Sequence, residues 1–297
     1  MVNYLIAMLL GFIFSVTFHI SRGMQQQGIK TLTFIRAKFR KNPSSISWKE
    51  SKPTIYLLGV ILSGSGAIWV ILSGKFAPAS YFTSMYGIGM VAMMWYSSKI
   101  LKERIDKWEI IGAGILIVGT VLIGIEGLFQ PKLNYADINI QSVWWIVGIF
   151  TGISLIALIW IRNHGNLIIK SVIFGIFTGG MVSFDPIFKG IGQNLNHNSA
   201  FFPTTSMGWT IFLFSLVFTT ASFWITQWGF SKNVRAALLI PMHNSLYIAF
   251  PIFIQLIALP DYQFSFITIL GLLLILAGNL MMKLDEAKMI SSNQEFN

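Results

Sequence analysis

The stretch TLTFIRAKFRK, Thr31–Lys41, decides how often this chain crosses a membrane. Four of its residues, Arg36, Lys38, Arg40 and Lys41, carry positive charge at neutral pH. One such charge at the centre of a bilayer costs roughly 2.5–3.5 kcal/mol on insertion scales. Four within eleven residues therefore keep the stretch in water. Read as a loop, it leaves nine apolar segments; read as a span, it would make ten.

The rest of the composition agrees with a membrane chain. Of 297 residues, 54% are hydrophobic and 11% charged, and the mean hydropathy is +0.67. A soluble domain carries roughly a quarter charged residues. The apolar runs are near the ~20 residues that cross ~30 Å of hydrocarbon as a helix. Barrel strands would instead show ~10-residue alternating segments. The expected spans are 2–20, 54–74, 77–98, 108–127, 142–161, 167–190, 209–229, 234–258 and 264–283.

With the N-terminus outside, eighteen of the 21 Lys and Arg fall on the inner side, eight of them within 21–53. Lys75 and Lys132 fall outside, and Lys189 stands near the outer end of a span. This asymmetry predicts an N-out, C-in chain in the plasma membrane. It also explains the net charge of +10 without a nucleic-acid partner. The first apolar run has no basic residue before it and no small-residue cleavage site after it, so it reads as a retained helix. Segment 21–53 is expected to be a cytoplasmic basic arm, as an interfacial helix on anionic lipid or, more simply, as a flexible loop that fixes orientation. The tail 285–297 is expected to be disordered. The chain has no cysteine, hence no disulfide and no thiolate metal site, and nothing calls for a cofactor.

The sequence resembles itself. IIGAGILIVGTVLI in span four aligns with ILGLLLILAGNLMM in span nine, with Gly112 and Gly119 on Gly271 and Gly278. FAPASYFTSMYG opens span three as LLIPMHNSLYIA opens span eight. FHISRG in span one falls on DPIFKG in span six, which sets Arg22-Gly23 on Lys189-Gly190. Spans 1–4 thus pair with spans 6–9, and the unpaired span five inverts the second unit. The expected fold is all-α and polytopic, with nine transmembrane helices in an inverted 4+1+4 repeat. Its units are 1–127, a linking region 128–165, 166–284 and the tail 285–297.

Polar groups inside spans need partners or a water-filled cavity. Ser80 and Ser84 share a face of span three, and His243 and Tyr247 share a face of span eight with Asn244 beside them. Gln227 stands in span seven, behind Thr219, Thr220 and Ser222. Pro78 and Pro241 would free backbone carbonyls wherever a helix continues through them. Asp185 and Lys189 stand i, i+4 in span six, as a transport-site carboxylate or as an interfacial ion pair whose lysine snorkels outward. The candidate substrate-binding residues are Ser80, Ser84, Gln227, His243, Asn244, Tyr247 and Asp185. For Ser, Thr and Gly the simpler role is close helix packing. Trp95, Trp145, Trp160 and Trp228 read as interfacial anchors. No HExxH, G-x-S-x-G or GxxxxGK[ST] motif is present, and no enzyme activity is expected.

The run KFAPASYFTSMYGIGMVAMMWYSSKILKERIDKWEIIGAGILIVGTVLI, 75–123, resembles the NIPA-like magnesium transporters, a branch of the drug/metabolite transporter (EamA-type) superfamily. The resemblance extends to RGMQQQGIK, RNHGN, FKGIG and LLIPMHNSLY, so it runs from about residue 5 to 283. It implies a nine-helix transporter for magnesium or another divalent cation. The chain departs from that family pattern in two places. Ala67 stands where the family carries a glutamate, and WITQWGF replaces an NYLN-like motif. A small organic metabolite suits the polar residues equally well. The expected partners are thus a small solute or divalent cation and membrane lipid, with room for a homodimer. A non-transporting lipid-handling or accessory protein is the rival from another class.

Overall fold

A computed structural model describes residues 2–28, 31, 49, 51–102, 105–129, 137–163, 167–195, 200–231, 234, 236–260, 262–263 and 265–281. Most of the expected arm, Lys132 and the tail lie outside the described residues. The described residues are helical and contain no strand. The helices are α1 (Val2–Gln27), α2 (Pro53–Gly64), α3 (Gly66–Gly74), α4 (Ala79–Ser84), α5 (Ile88–Tyr96), α6 (Lys107–Phe129), α7 (Ile140–Asn163), α8 (Leu167–Asn194), α9 (Ser206–Ser231), α10 (Ala236–Ala258) and α11 (Phe266–Met281). A tight 3₁₀ turn, Met85–Gly87, joins α4 to α5.

Local chemistry starts these helices where they start. Asp106 and Glu109 form a reciprocal cap at α6: Trp108 N donates to Asp106 Oδ2 at 3.0 Å, and Asp106 N donates to Glu109 Oε2 at 3.0 Å. Asn139 caps α7 by accepting from Ser142 N at 3.1 Å. Thr205 and Ser265 do the same for α9 and α11. Pro53 sits in the first turn of α2, where its missing N–H costs nothing.

Among the described residues, six helical stretches are long and apolar enough to cross a membrane: Asn3–Gln25, Pro53–Gly74, Lys107–Glu126, Ile140–Ile161, Ile169–Asn194 and Ser206–Thr226. They mark an integral membrane protein. Two shorter apolar helices follow, Met242–Ala258 and Phe266–Met281. The segment expected as span three is helical but broken into α4, the 3₁₀ turn and α5. Large apolar side chains such as Ile149, Ile153, Ile156 and Trp160 form an outward stripe on α7.

The chain is densest around α8, which is buried along most of its length and packs on α9 and α10. On the other side α1 packs on α2, α3, α4 and α5. The third large contact joins α6 to α11. Here the two helices run antiparallel with glycine against glycine. A Cβ on Gly119 would lie 2.6 Å from the Gly271 carbonyl oxygen, and one on Gly278 would lie 2.6 Å from that of Gly112. Small residues permit this approach and so hold the helices together where water offers no drive.

Two expectations change. The first helix does not end at residue 20 but runs to Gln27. Its added turns are held by Gln25, which donates from Nε2 to Gly59 O at 3.0 Å, and by Gln27, which accepts from Tyr96 Oη at 2.8 Å. Ser21–Gln27 is thus helix, not arm. Pro78 does not interrupt a continuing helix; it is the residue before α4, with φ −55° and ψ 152°. Its frame leaves the Ser73 carbonyl with donors of its own, Phe76 N and Ala77 N at 2.9 and 3.2 Å. Pro241, by contrast, lies within α10.

Candidate functional site

A cavity of about 520 Å³ opens between α1–α3 with Tyr86 on one side and α8–α10 on the other. The candidate residues come from spans three, six, seven and eight; the cavity is bounded by spans one and two as well. Its charged side chains are Arg22, Asp185 and Lys189. Phe14, Phe18, Val70, Tyr86, Phe223 and Tyr247 supply much of its apolar wall.

Asp185 and Lys189 sit on α8 one turn apart. Lys189 Nζ donates to both carboxylate oxygens at 2.7 Å. The two side chains are only 10% and 3% exposed, so the pair is buried and the lysine does not snorkel outward. The carboxylate both pairs with Lys189 and faces the cavity. Burial is affordable for such a pair only with close, multiple hydrogen bonds, which this geometry provides.

His243 and Tyr247 also line the cavity, from one face of α10. Thr178 fixes His243. The Thr178 hydroxyl donates to Phe174 O at 2.8 Å, so its oxygen is left to accept from His243 Nδ1 at 3.1 Å. The other ring nitrogen, Nε2, is then an acceptor. Gly179 makes room for this approach, since a Cβ there would sit 2.7 Å from His243 Cα. The Tyr247 ring packs on Tyr86 with centroids 4.6 Å apart.

The other candidates lie elsewhere. Ser80 and Ser84 are buried in α4 away from the cavity. Ser84 Oγ donates to Tyr81 O at 3.0 Å. Ser80 belongs to a cap supplied by α10. The Gln255 amide, oriented by its neighbours, accepts from Ala79 N and Ser80 N at 3.1 Å and donates to Ser80 Oγ at 2.5 Å. The helix that begins after Pro78 thus has its first N–H groups satisfied from across the fold. The 3₁₀ turn that follows brings Tyr86, instead of Ser84, to the cavity. Asn244 points to Met90, with Nδ2 3.1 Å from Sδ. The side chain of Gln227 lies outside the described residues.

Three residues outside the candidate set matter here: Arg22, Thr178 and Gln255. For Arg22 the signal was its alignment with Lys189, masked by placing it in a loop. Arg22 is half-buried on the extended end of α1, and its guanidinium carbon lies 4.8 Å from the Phe18 ring centroid. Among the described residues no cluster of three His, Cys, Asp or Glu side chains is placed to hold a metal ion. Compared with protein-family models, curated proteins and solved structures, the chain gives no match.

Proposed function

We propose that this chain is a nine-span secondary transporter of the drug/metabolite type, which carries a small solute through the cavity between two inverted repeats. The carrying observation is that cavity, with charged groups at its wall and helices of both repeat units around it. Buried ionisable groups in membrane helices are costly, and a solvated substrate path is their commonest reason for existing.

Three features support the repeat. Pairing Gly112 with Gly271 and Gly119 with Gly278 turns the contact of Gly278 with Gly112 into the contact of Gly119 with Gly271. Both contacts occur in the structure. Arg22 and Lys189, paired by the same repeat, both line the cavity. Helix packing follows suit: α1 touches α2–α3 and α4–α5 as α8 touches α9 and α10. Alternating access would then be a rocking of one unit on the other around the cavity, in the plasma membrane.

For the cargo, the resemblance points to magnesium. Magnesium sites use one or two carboxylates with several retained waters. The cavity's described carboxylate is held on both oxygens by Lys189, and Ala67 lies where the family glutamate would stand. A small organic solute is the better fit. Proteoliposome flux with Mg²⁺ and a metabolite panel tests this reading. Uptake of an organic solute above empty liposomes supports it, and uptake of Mg²⁺ alone returns the cargo to a cation. No flux of any kind leaves the lipid-handling or accessory protein as the surviving account.

A further inference from the structure

The cavity's charges do not cancel. Asp185 and Lys189 neutralise each other across two 2.7 Å hydrogen bonds. Arg22 is left over: among the described residues no carboxylate stands within ion-pair distance of it. A guanidinium does not lose its proton in a protein. It is half-buried, its guanidinium lies over the Phe18 ring, and the helix continues past it to Gln27. The described lining therefore carries one net positive charge in a pocket with mostly aromatic and aliphatic walls.

We infer that the cargo is a small organic anion, whose carboxylate, sulfonate or phosphate group is met by Arg22 and whose apolar body lies against Phe14, Phe18, Tyr86 and Tyr247. This rests on the transporter reading and names its substrate class. The guanidinium fork matches such oxyanions with paired N–H donors. Tyr86 and Tyr247 offer hydroxyl donors beside it, and the apolar walls weaken screening, so one uncompensated cation sets the sign of the field throughout the pocket. A cation would have to displace Lys189 from Asp185 before finding any described carboxylate in the cavity. An anion meets Arg22 with no described carboxylate to displace, and the charge-assisted hydrogen bonds offset its loss of hydration.

The absence of cysteine makes the field directly measurable. Ala67 is a small lining residue, whereas a Cβ on neighbouring Gly66 would collide with the Phe14 ring at 2.8 Å. The Ala67→Cys variant of the full chain, purified in detergent, is reacted with a sulfonate-bearing and a trimethylammonium-bearing methanethiosulfonate. Rates are divided by those of the same reagents with free mercaptoethanol. The anionic reagent is expected to be favoured about fivefold or more, the size of effect one charge at ~8 Å exerts in a partly screened site. Adding Arg22→Gln brings the ratio back toward one, and Arg22→Lys keeps it. Phenyl phosphate and phenylacetate then protect the introduced thiol, while benzamide and benzylammonium do not.

A ratio below one, or protection by benzylammonium or Mg²⁺, overturns the anion and leaves a hydrated transport cavity standing. A ratio near one with no protection by either anion overturns it likewise. A thiol inert to both reagents, in protein that still elutes as a folded species, removes the water-filled pathway and the transporter reading with it.

Discussion

Between α6 and α11 the chain meets itself backbone to backbone; between α1 and α8 it opens a mostly apolar cavity that holds three charged side chains. At the first contact glycine faces glycine, and the two closest approaches exchange under the sequence repeat. At the second, the proposed repeat pairs Arg22 with Lys189, yet Lys189 has a carboxylate and Arg22 an aromatic ring. The difference is informative. A packing seam needs only shape, and symmetric shapes fit each other, so both halves keep the same solution. Under the proposed transport role a cavity must distinguish one end of a solute from the other, and the residues one turn before the two cations, Phe18 and Asp185, differ accordingly.

The comparison breaks most readily at the cavity. Asp185→Ala leaves the Lys189 ammonium buried without its counter-charge. Removing one member of a buried pair costs about 3–5 kcal/mol, so the variant should unfold in detergent well below the parent temperature. Asp185→Asn combined with Lys189→Met removes both charges and should recover most of that loss. If the single variant unfolds with the parent, the pair is solvated and the cavity wall is looser than its 2.7 Å contacts imply.

The seam breaks by volume. Gly119→Ala drives a methyl group to 2.6 Å from the Gly271 oxygen and 2.9 Å from Ile275 N. Both obstacles are backbone and cannot swing aside. Overpacking of this kind costs about 1–3 kcal/mol. Gly152→Ala, on the outward side of α7, meets nothing within 4 Å and should instead stabilise by about 0.5–1 kcal/mol through helix propensity. Opposite signs for one chemical change at two glycines would separate seam from surface in a single thermal-shift series. Equal signs would dissolve the distinction.

A more local effect tests the break after Pro78. Gln255→Leu keeps bulk but withdraws the cap from Ala79 N and Ser80 N, at about 1–3 kcal/mol for buried donors left unpaired. Hydrogen exchange at those two amides should rise while exchange along α6 stays as it was. Unchanged exchange at Ala79 and Ser80 would mean that another acceptor takes over.

What could be read from the sequence divides along the same line. Hydrophobic length and the glycine rows are properties of a segment, so the helices and the likeness of α6 to α11 were legible, whereas the packing of these two helices on each other is a contact between distant residues that no segment records. The extension of α1 was not, because its end is set by Gln25 reaching Gly59 and Tyr96 reaching Gln27, contacts between residues far apart in the chain. That extension moved Arg22 from a loop count into a cavity wall. Ser80 and Ser84 share a helix face with the right spacing. With a proline that starts the helix and a 3₁₀ turn after its six residues, that face looks away from the cavity and Tyr86 lines it instead. His243 and Tyr247 kept their place because α10 continues through Pro241. Spacing locates a face; only the neighbouring helices decide what the face looks at.

The gentlest test concerns the orientation of His243. Its Nδ1 leans on the Thr178 oxygen at 3.1 Å, and that oxygen can accept only because the Thr178 proton is committed to Phe174 O at 2.8 Å. Ser222 reinforces the same turn of α8 by donating to Thr178 O at 2.8 Å. Thr178→Val keeps the branched shape and removes the acceptor. The loss should be about 1 kcal/mol, the net worth of one hydrogen bond. Its consequence is directional: with Nδ1 unanchored, the imidazole is free to exchange tautomers, and ¹⁵N NMR of labelled histidine should show the ring shifting from one dominant neutral form to a mixture. Ser222→Ala should leave the tautomer alone, since it touches the backbone of Thr178 and not its hydroxyl. If Ser222→Ala disturbs the histidine as much as Thr178→Val does, the ring is held by the packing of α8 on α9 and not by the threonine.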